Sequence, residues 1–200
     1  MKKNNLVLEN LNMIMAVSDD SIIGLNDKPF MPWIRRVPED MNYFRRTTIG
    51  KGNNTVIMGR KTKDTIPKKF FPFEERENII LSRSPKETIF ETQEIDKNID
   101  TSVMSSMEEI LEYIKNNPEK TFWVIGGKEI YDQFLPYVSQ VFLTCIHGVF
   151  SEEFKDVGIV KIPNIKDIIG EFELLSSKKF LKDEINKFDM TFEVWGRFYN

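Results

Sequence analysis

Apolar residues in this chain gather in short, nearly continuous runs set between polar stretches. Leu11–Val17 is such a run and reads as a strand buried on both faces, ended by Ser18, Asp19, Asp20 and Ser21. Thr55–Gly59, Glu77–Leu81, the run from Thr121 to Gly126, and Val138–Ile146 repeat the pattern. Glu171–Phe180 and Met190–Tyr199 read as two further strands joined by a polar loop, an antiparallel hairpin with exposed charges.

Between the runs lie helical signals. Pro38 suits the first position of a helix, and Glu39 and Asp40 follow where negative charge favours the helix dipole. Ser106-Met107-Glu108-Glu109 has capping-box form, and Met107, Ile110, Leu111 and Ile114 keep helical spacing up to Pro118. An amphipathic helix is expected after Gly126-Gly127, as far as Pro136. Gly24–Val37, with Pro29, Pro32 and Trp33, predicts a stiff loop carrying a large aromatic. Ser84–Met104 is polar, and its strand has no clear position. Strands alternating with helices through long crossovers predict an α/β three-layer sandwich. Its twisted, mainly parallel sheet has about eight strands and is closed by the antiparallel C-terminal hairpin.

The chain has 200 residues, of which 40% are hydrophobic and 12% aromatic, enough for one domain with a substantial core and short for two. The expectation is a tail over 1–10 and a single domain over 11–200. A net charge of −3, from 28 basic and 31 acidic residues, gives no global field toward nucleic acid or an anionic membrane. The single cysteine, Cys145, rules out an internal disulfide and fits a reducing compartment. No apolar run suits a signal sequence or approaches the ~18 residues of a membrane span. A cytoplasmic monomer is expected, with no metal site.

Four stretches carry chemistry. Asp40 and Phe44 share one helix face, with Met41 beside them. An acid held there against apolar groups is desolvated and suited to bind or relay a proton, although a helix N-terminal acid is the commoner use of such a residue. Gly59-Arg60-Lys61-Thr62 joins a strand to a helix through a glycine and two cations, as a phosphate site or a charged surface turn. Gly126-Gly127 leaves bare backbone on which a cofactor can lie. Small Ala16, near the end of its strand, either admits a ring or packs in the core.

These stretches resemble the dihydrofolate reductase family. The matching residues are Ile23-Gly24, Pro32-Trp33 and Asp40-x-x-x-Phe44, then Met58-Gly59-Arg60-Lys61-Thr62 and the run Arg76 to Ser82. Ile125-Gly126-Gly127 with Tyr131, and Thr144, complete the set. The resemblance implies a dihydrofolate-reductase-like fold and an NADPH-dependent enzyme. It would reduce 7,8-dihydrofolate to tetrahydrofolate by hydride transfer to C6 with protonation of N5, and bind antifolate inhibitors.

By the same resemblance Asp40, Trp33 and Thr144 are catalytic. Asp40 grips the 2-amino-4-oxo edge of the pterin, Thr144 orients that carboxylate, and Trp33 excludes water when a mobile loop closes. Ile14, Ala16, Phe44, Ile66 and Phe73 line the substrate site. Ile125 and Tyr131 join them, and Arg76 meets the α-carboxylate of the glutamate tail through its planar fork. Ala16, Ile23, Gly24, Gly59, Arg60, Lys61, Thr62, Leu81, Ser82 and Arg83 hold the cofactor. Ile125, Gly126, Gly127, Lys128, Glu129, Ile130 and Tyr131 complete its site, with a cis Gly126-Gly127 peptide. Ser82, Arg83, Arg60 and Lys61 meet its 2′-phosphate, which favours NADPH over NADH.

The chain departs from the family pattern at 148–170, where Asp156 to Pro163 replaces an acid followed by aromatic-aromatic-Pro. It departs again at Lys63, where an aromatic often stands, and in extra residues on either side of Trp33. Two other readings are a pterin- or pyrimidine-reducing relative and a binding or scaffold protein that keeps the fold. The acid-x-x-x-Phe helix and Thr144 argue against the first.

Overall fold

A computed structural model describes residues 7–26, 31–93, 100–162 and 170–197. Pro29 and Pro163, both used in the sequence reading, lie outside the described residues. Eight strands form one sheet in the order β5-β4-β3-β6-β1-β7-β10-β9, and β2 and β8 form a second. These are β1 Leu8–Ser18, β2 Ile22–Leu25, β3 Asn54–Gly59, β4 Glu77–Leu81 and β5 Thr101–Met104. They continue with β6 Thr121–Gly126, β7 Val138–Ile146, β8 Ile159–Lys161, β9 Phe172–Phe180 and β10 Met190–Arg197. The helices are α1 Pro38–Ile49, α2 Arg60–Thr65, α3 Pro85–Gln93, α4 Met107–Asn116 and α5 Lys128–Phe134. The pairs β1–β6, β3–β6, β3–β4 and β4–β5 are parallel, and β7–β10 and β10–β9 antiparallel. This is the mainly parallel sheet with an antiparallel C-terminal hairpin.

The chain forms two compact units. The first comprises β1 up to Met13 and the span Thr47–Ser139. Its sheet buries Leu11, Met13, Val56, Ile57, Met58, Ile79, Ile80, Phe122 and Val124, all fully, which is why those runs are apolar without alternation. β1 opens at Leu8, three residues before the apolar run and inside the expected tail. The Ser139 hydroxyl, bonding the Glu9 and Leu11 carbonyls at 3.1 and 3.2 Å, fixes that extra length. α4 starts where the capping box placed it, with Ser106 Oγ accepting from the Glu109 N–H at 3.2 Å. The Glu109 carboxylate, however, accepts from the Ser105 N–H at 2.8 Å, one residue before the position the motif predicts. α3 was hidden in the polar stretch 84–104. It is started by hydroxyls, with Thr88 Oγ1 bonding the Ser84 carbonyl at 3.0 Å and Ser82 Oγ at 2.8 Å.

The second unit spans Ile14–Arg46 and residues from Gln140 onward. Its core gathers Ile22, Trp33, Val37, Ile146, Phe150, Met190 and Phe192. Part of the stretch expected to be irregular is strand. β2 covers Ile22–Leu25 and pairs antiparallel with β8, Ile22 opposite Lys161 and Leu25 opposite Ile159. A four-residue strand followed by prolines has too little periodicity to read.

Candidate active site

In the second unit, α1 begins at Pro38 and carries Asp40 in its first turn. The residue is 4% exposed, beside a fully buried Trp33 and a Thr144 of 1% exposure on β7. The Trp33 indole N–H donates to Asp40 Oδ2 at 3.1 Å, and the Thr144 side chain makes a second hydrogen bond to the carboxyl. Burial raises the Asp40 pKa from 3.8 to about 6, against these two bonds, which lower it. A carboxylate accepts up to about four hydrogen bonds, so two protein partners leave capacity for a ligand. Phe44, one turn on, is half-buried, as is Ala16 on β1, while Ile14 is buried. Ile23 and Gly24 lie half-buried on β2.

In the first unit, Gly59 ends β3 and Gly126 ends β6, in adjacent strands where Met58 stands opposite Gly126. Helices α2 and α5 follow directly, and neither has a side chain capping its N-terminus. Free backbone donors and the dipole at such ends favour anions. Arg60, Lys61 and Arg83 are exposed and Thr62 is half-buried. Lys61 forms an exposed 3.3 Å ion pair with Glu129, and Lys128 pairs with Asp132 at 2.7 Å.

The Gly126–Gly127 peptide is cis. Gly126 has φ +110°, and a Cβ there would meet the Tyr131 ring at 2.9 Å. The bareness of this backbone therefore serves the chain's own tyrosine, whose hydroxyl donates to the Ile125 carbonyl at 2.9 Å. A Cβ on Gly127 would lie 3.1 Å from Thr62 Oγ1, and one on Gly59 2.9 Å from Ile130 Cγ1. Ile130, 7% exposed, packs as a core residue. Ser82 is 3% exposed, and its hydroxyl is taken up by Thr88 and the Ser84 N–H, so its side chain shapes the turn into α3.

Arg76 is 8% exposed. Its Nε donates to the Glu74 carbonyl at 3.0 Å, one terminal nitrogen to Thr48 Oγ1 at 2.6 Å, and its guanidinium lies 5.0 Å from the centre of the Phe73 ring. These contacts fix the orientation of a planar guanidinium fork, the group that suits a carboxylate. Phe73, Ile66, Leu81 and Ile125 are half-buried. Burial pushes the Cys145 thiol up to about 12, helped by the Glu193 and Asp19 carboxylates, which suits a packing residue and not a nucleophile. The sequence reading missed Thr48, which orients Arg76, and Asp20, which accepts backbone N–H groups of Phe150 and Ser151 at 3.0 and 2.8 Å. A threonine at a helix end and an acid in a turn carry no signal of their own.

The mainly parallel sheet with its antiparallel hairpin makes this an α/β protein, with a buried acid bonded to tryptophan and threonine in the second unit and a glycine pair before a helix start in the first. The family model described as "Dihydrofolate reductase" matches residues 10–197. Dihydrofolate reductase of Candida albicans is 34% identical over 199 residues, covering 94% of this chain and 97% of the relative. That of Bacillus subtilis (strain 168) is 30% identical over 187 residues, 94% of each chain. The structure of dihydrofolate reductase from Enterococcus faecalis, complexed with NADP(H) and RAB-propyl, superimposes with a TM-score of 0.70 at 24% identity, over 96% of this chain and 99% of that one. The chain belongs to the dihydrofolate reductase family.

Proposed function

We propose that the chain reduces 7,8-dihydrofolate to tetrahydrofolate with NADPH. The observation that carries this reading is the buried Asp40, raised to about 6 and bonded by Trp33 and Thr144. A carboxyl titrating near neutrality can accept hydrogen bonds from an amino-heterocycle when ionised and still take part in proton delivery. Asp40 binds the 2-amino-4-oxo edge of the pterin and favours protonation at N5 through water. Thr144 and Trp33 hold the carboxyl in place, and Phe44, Ile14 and Ala16 pack on the substrate. Trp33 also keeps water from the reacting atoms. Arg76, steadied by Thr48 and Phe73, takes the α-carboxylate of the glutamate tail, beside Ile66.

The residues of the first unit fit NADPH, since the uncapped starts of α2 and α5 and the exposed cations suit its phosphates. NADPH, when bound, supplies the hydride that reduces C6. Thr62, Arg60, Lys61, Lys128 and Glu129 would hold the phosphate groups, and Arg83 with the turn at Leu81-Ser82 would meet the 2′-phosphate. Gly59, Gly126 and Gly127 would offer backbone groups to the cofactor, with Ile130 packed against Gly59 and the Tyr131 ring against Gly126. Ile125 and Tyr131 would border the nicotinamide, and Ile23, Gly24 and Ala16 of the second unit would also contact the cofactor. The protein works as a cytoplasmic monomer and takes antifolate inhibitors at the pterin site.

NADPH oxidation with and without dihydrofolate, repeated with Asp40→Asn across pH, tests this. The wild type turns over only with substrate. The variant is slow at neutral pH and recovers in acid, where dihydrofolate arrives already protonated. Equal activity of the two proteins at neutral pH would falsify the role of Asp40, and no substrate-dependent oxidation by the wild type would remove the assignment.

A further inference from the structure

Asp20 lies in the turn after β1. Its Oδ2 accepts from the Phe150 N–H at 3.0 Å, the Ser151 N–H at 2.8 Å and the Ser151 hydroxyl at 2.5 Å, while Oδ1 takes the Ser18 hydroxyl at 2.6 Å. Two adjacent backbone donors aimed at one oxygen form a charge-assisted clamp, stronger than neutral hydrogen bonds. Partial burial acts upward on this carboxyl, but the bonds from Ser151, Ser18 and the two N–H groups outweigh it and hold the pKa at about 2. Phe150 and Ser151, at the start of the segment where the sequence departs from the family pattern, are therefore held through their backbone by an acid outside it.

The clamp fixes a ring that matters. Phe150 is 1% exposed, with its centroid 5.6 Å from Trp33 and 5.1 Å from Phe188. Arg36 lies over Phe150 and Phe188 at 5.2 and 5.4 Å and holds Glu153 through two bonds of 3.0 and 3.1 Å. Trp33, fully buried, donates to Asp40. In a close-packed interior a ring cannot shift without its neighbours following.

We propose that Asp20 is a positioning residue for Asp40: it pins the backbone at Phe150 and Ser151, which sets the Phe150 ring against Trp33, and Trp33 sets the burial and hydrogen bonding of the Asp40 carboxyl. This rests on Asp40 being the acid of the reductase site. Trp33 and Thr144, whose side chains bond the Asp40 carboxyl, are neutral. The charges around the clamp are Lys161, whose Nζ donates to Ser151 Oγ at 3.2 Å, the Asp19–His147 pair at 3.4 Å, and Arg36 with Glu153.

The test uses the full chain with Asp20→Ala, Asp20→Asn, Phe150→Leu and the double variant Asp20→Ala/Phe150→Leu. The first readout is the Asp40 carboxyl titration by carbon NMR in the free protein, which needs no turnover. The second is the pH profile of kcat and of kcat/KM. Asp20→Ala should lower the Asp40 midpoint by about one unit, because admitted water removes the burial that raised it. It should cut neutral kcat about tenfold, as for a small misplacement of a catalytic group, and leave KM for NADPH unchanged. Asp20→Asn keeps a carbonyl to accept both N–H groups and should restore both readouts. Phe150→Leu should move the midpoint the same way, and adding Asp20→Ala to it should change kcat by less than about twofold, since both act through one contact.

An Asp20→Ala protein that melts earlier with its Asp40 midpoint and pH profile unmoved overturns the proposal, as do additive effects of the two changes. Should Asp20→Ala fail to fold, an unmoved Asp40 midpoint in Phe150→Leu overturns it instead. A wild type without dihydrofolate turnover would refute the functional reading, while the NMR readout still decides the positioning role.

Discussion

Replacing Asp40 by Asn should stabilise the protein at neutral pH. Burial is the main cause holding this carboxyl at about 6 in the fold, against 3.8 when solvated. The folded state thus takes up a proton between those values, and the carboxyl's contribution to stability falls as pH rises through that window and stays low above it. About two units at ~1.36 kcal/mol per unit place the cost of the ionised group at about 3 kcal/mol above pH 7. Asn has the same shape. Its carbonyl keeps the Trp33 donor, and its amide can donate to the Thr144 hydroxyl, so neither contact is lost.

The gain should appear in chemical denaturation as about 3 kcal/mol at pH 8, shrinking to about 1 kcal/mol near pH 4.5, where the wild-type group is already neutral in the fold. In thermal melts it corresponds to about 6–12 °C at pH 8 for a chain of this size. The same variant loses neutral turnover, which is the expected exchange of stability for activity at a strained functional group. An Asn variant that is less stable than wild type at pH 8, or whose advantage is the same at both pH values, would show that Asp40 is not paying a desolvation cost.

Three other outcomes follow from the geometry. Gly126→Ala strains a φ of +110° and also crowds the Tyr131 ring, whose hydroxyl bonds the Ile125 carbonyl at 2.9 Å, so it should lose about 2 kcal/mol or more in urea denaturation; a loss under about 0.5 kcal/mol would contradict the crowding. Arg76→Met should raise KM for dihydrofolate about tenfold to a hundredfold with kcat little changed, the worth of a charged hydrogen-bond pair. A pterin substrate without the glutamate tail should be unaffected, and an equal loss with that substrate would sink the assignment of Arg76. Cys145, held up at about 12, should react with a thiol reagent at pH 8 far more slowly than a free cysteine, and labelling at the rate of the denatured chain would show the burial to be wrong.

The central strands β1, β3, β4 and β6 were legible because they are largely buried on both faces, and a run such as Ile79-Ile80 has no other use in so short a segment, whereas β5, less buried and set in a polar stretch, was not placed. α1 and α4 were legible through their first turns, where Pro38 and Ser106 act locally. α3 and β2 were not. α3 is started by hydroxyl bonds among Ser82, Ser84 and Thr88, which leave no apolar period, and β2 exists because β8, more than a hundred residues away, supplies its partner. The glycine pair was found for its bare backbone, but the tyrosine that occupies that space could be identified only in three dimensions. Lys63 illustrates the same limit. Noted as a departure from the family pattern, it is 9% exposed with its Nζ 3.2 Å from Asp64, and nothing in a run of charged residues says which cation turns inward.

The choice between two uses of an acid in the first turn of α1 shows what decides function here. Both Glu39 and Asp40 satisfy the helix dipole by position, and a dipole acid should lie near solvent with its pKa drawn down. Glu39 does the surface work, pairing with Arg46 at 2.8 Å. Asp40, one residue on, is turned by about 100° around the helix and meets Trp33 and Thr144 in a core closed by Phe150 and Phe192. Its pKa moves up instead, against the direction that the dipole favours. Desolvation by those rings outweighs a helix-end effect worth only about 0.3–1 kcal/mol, so the aromatic packing that stabilises the second unit is also what brings this carboxyl into the range where it can exchange a proton near neutral pH.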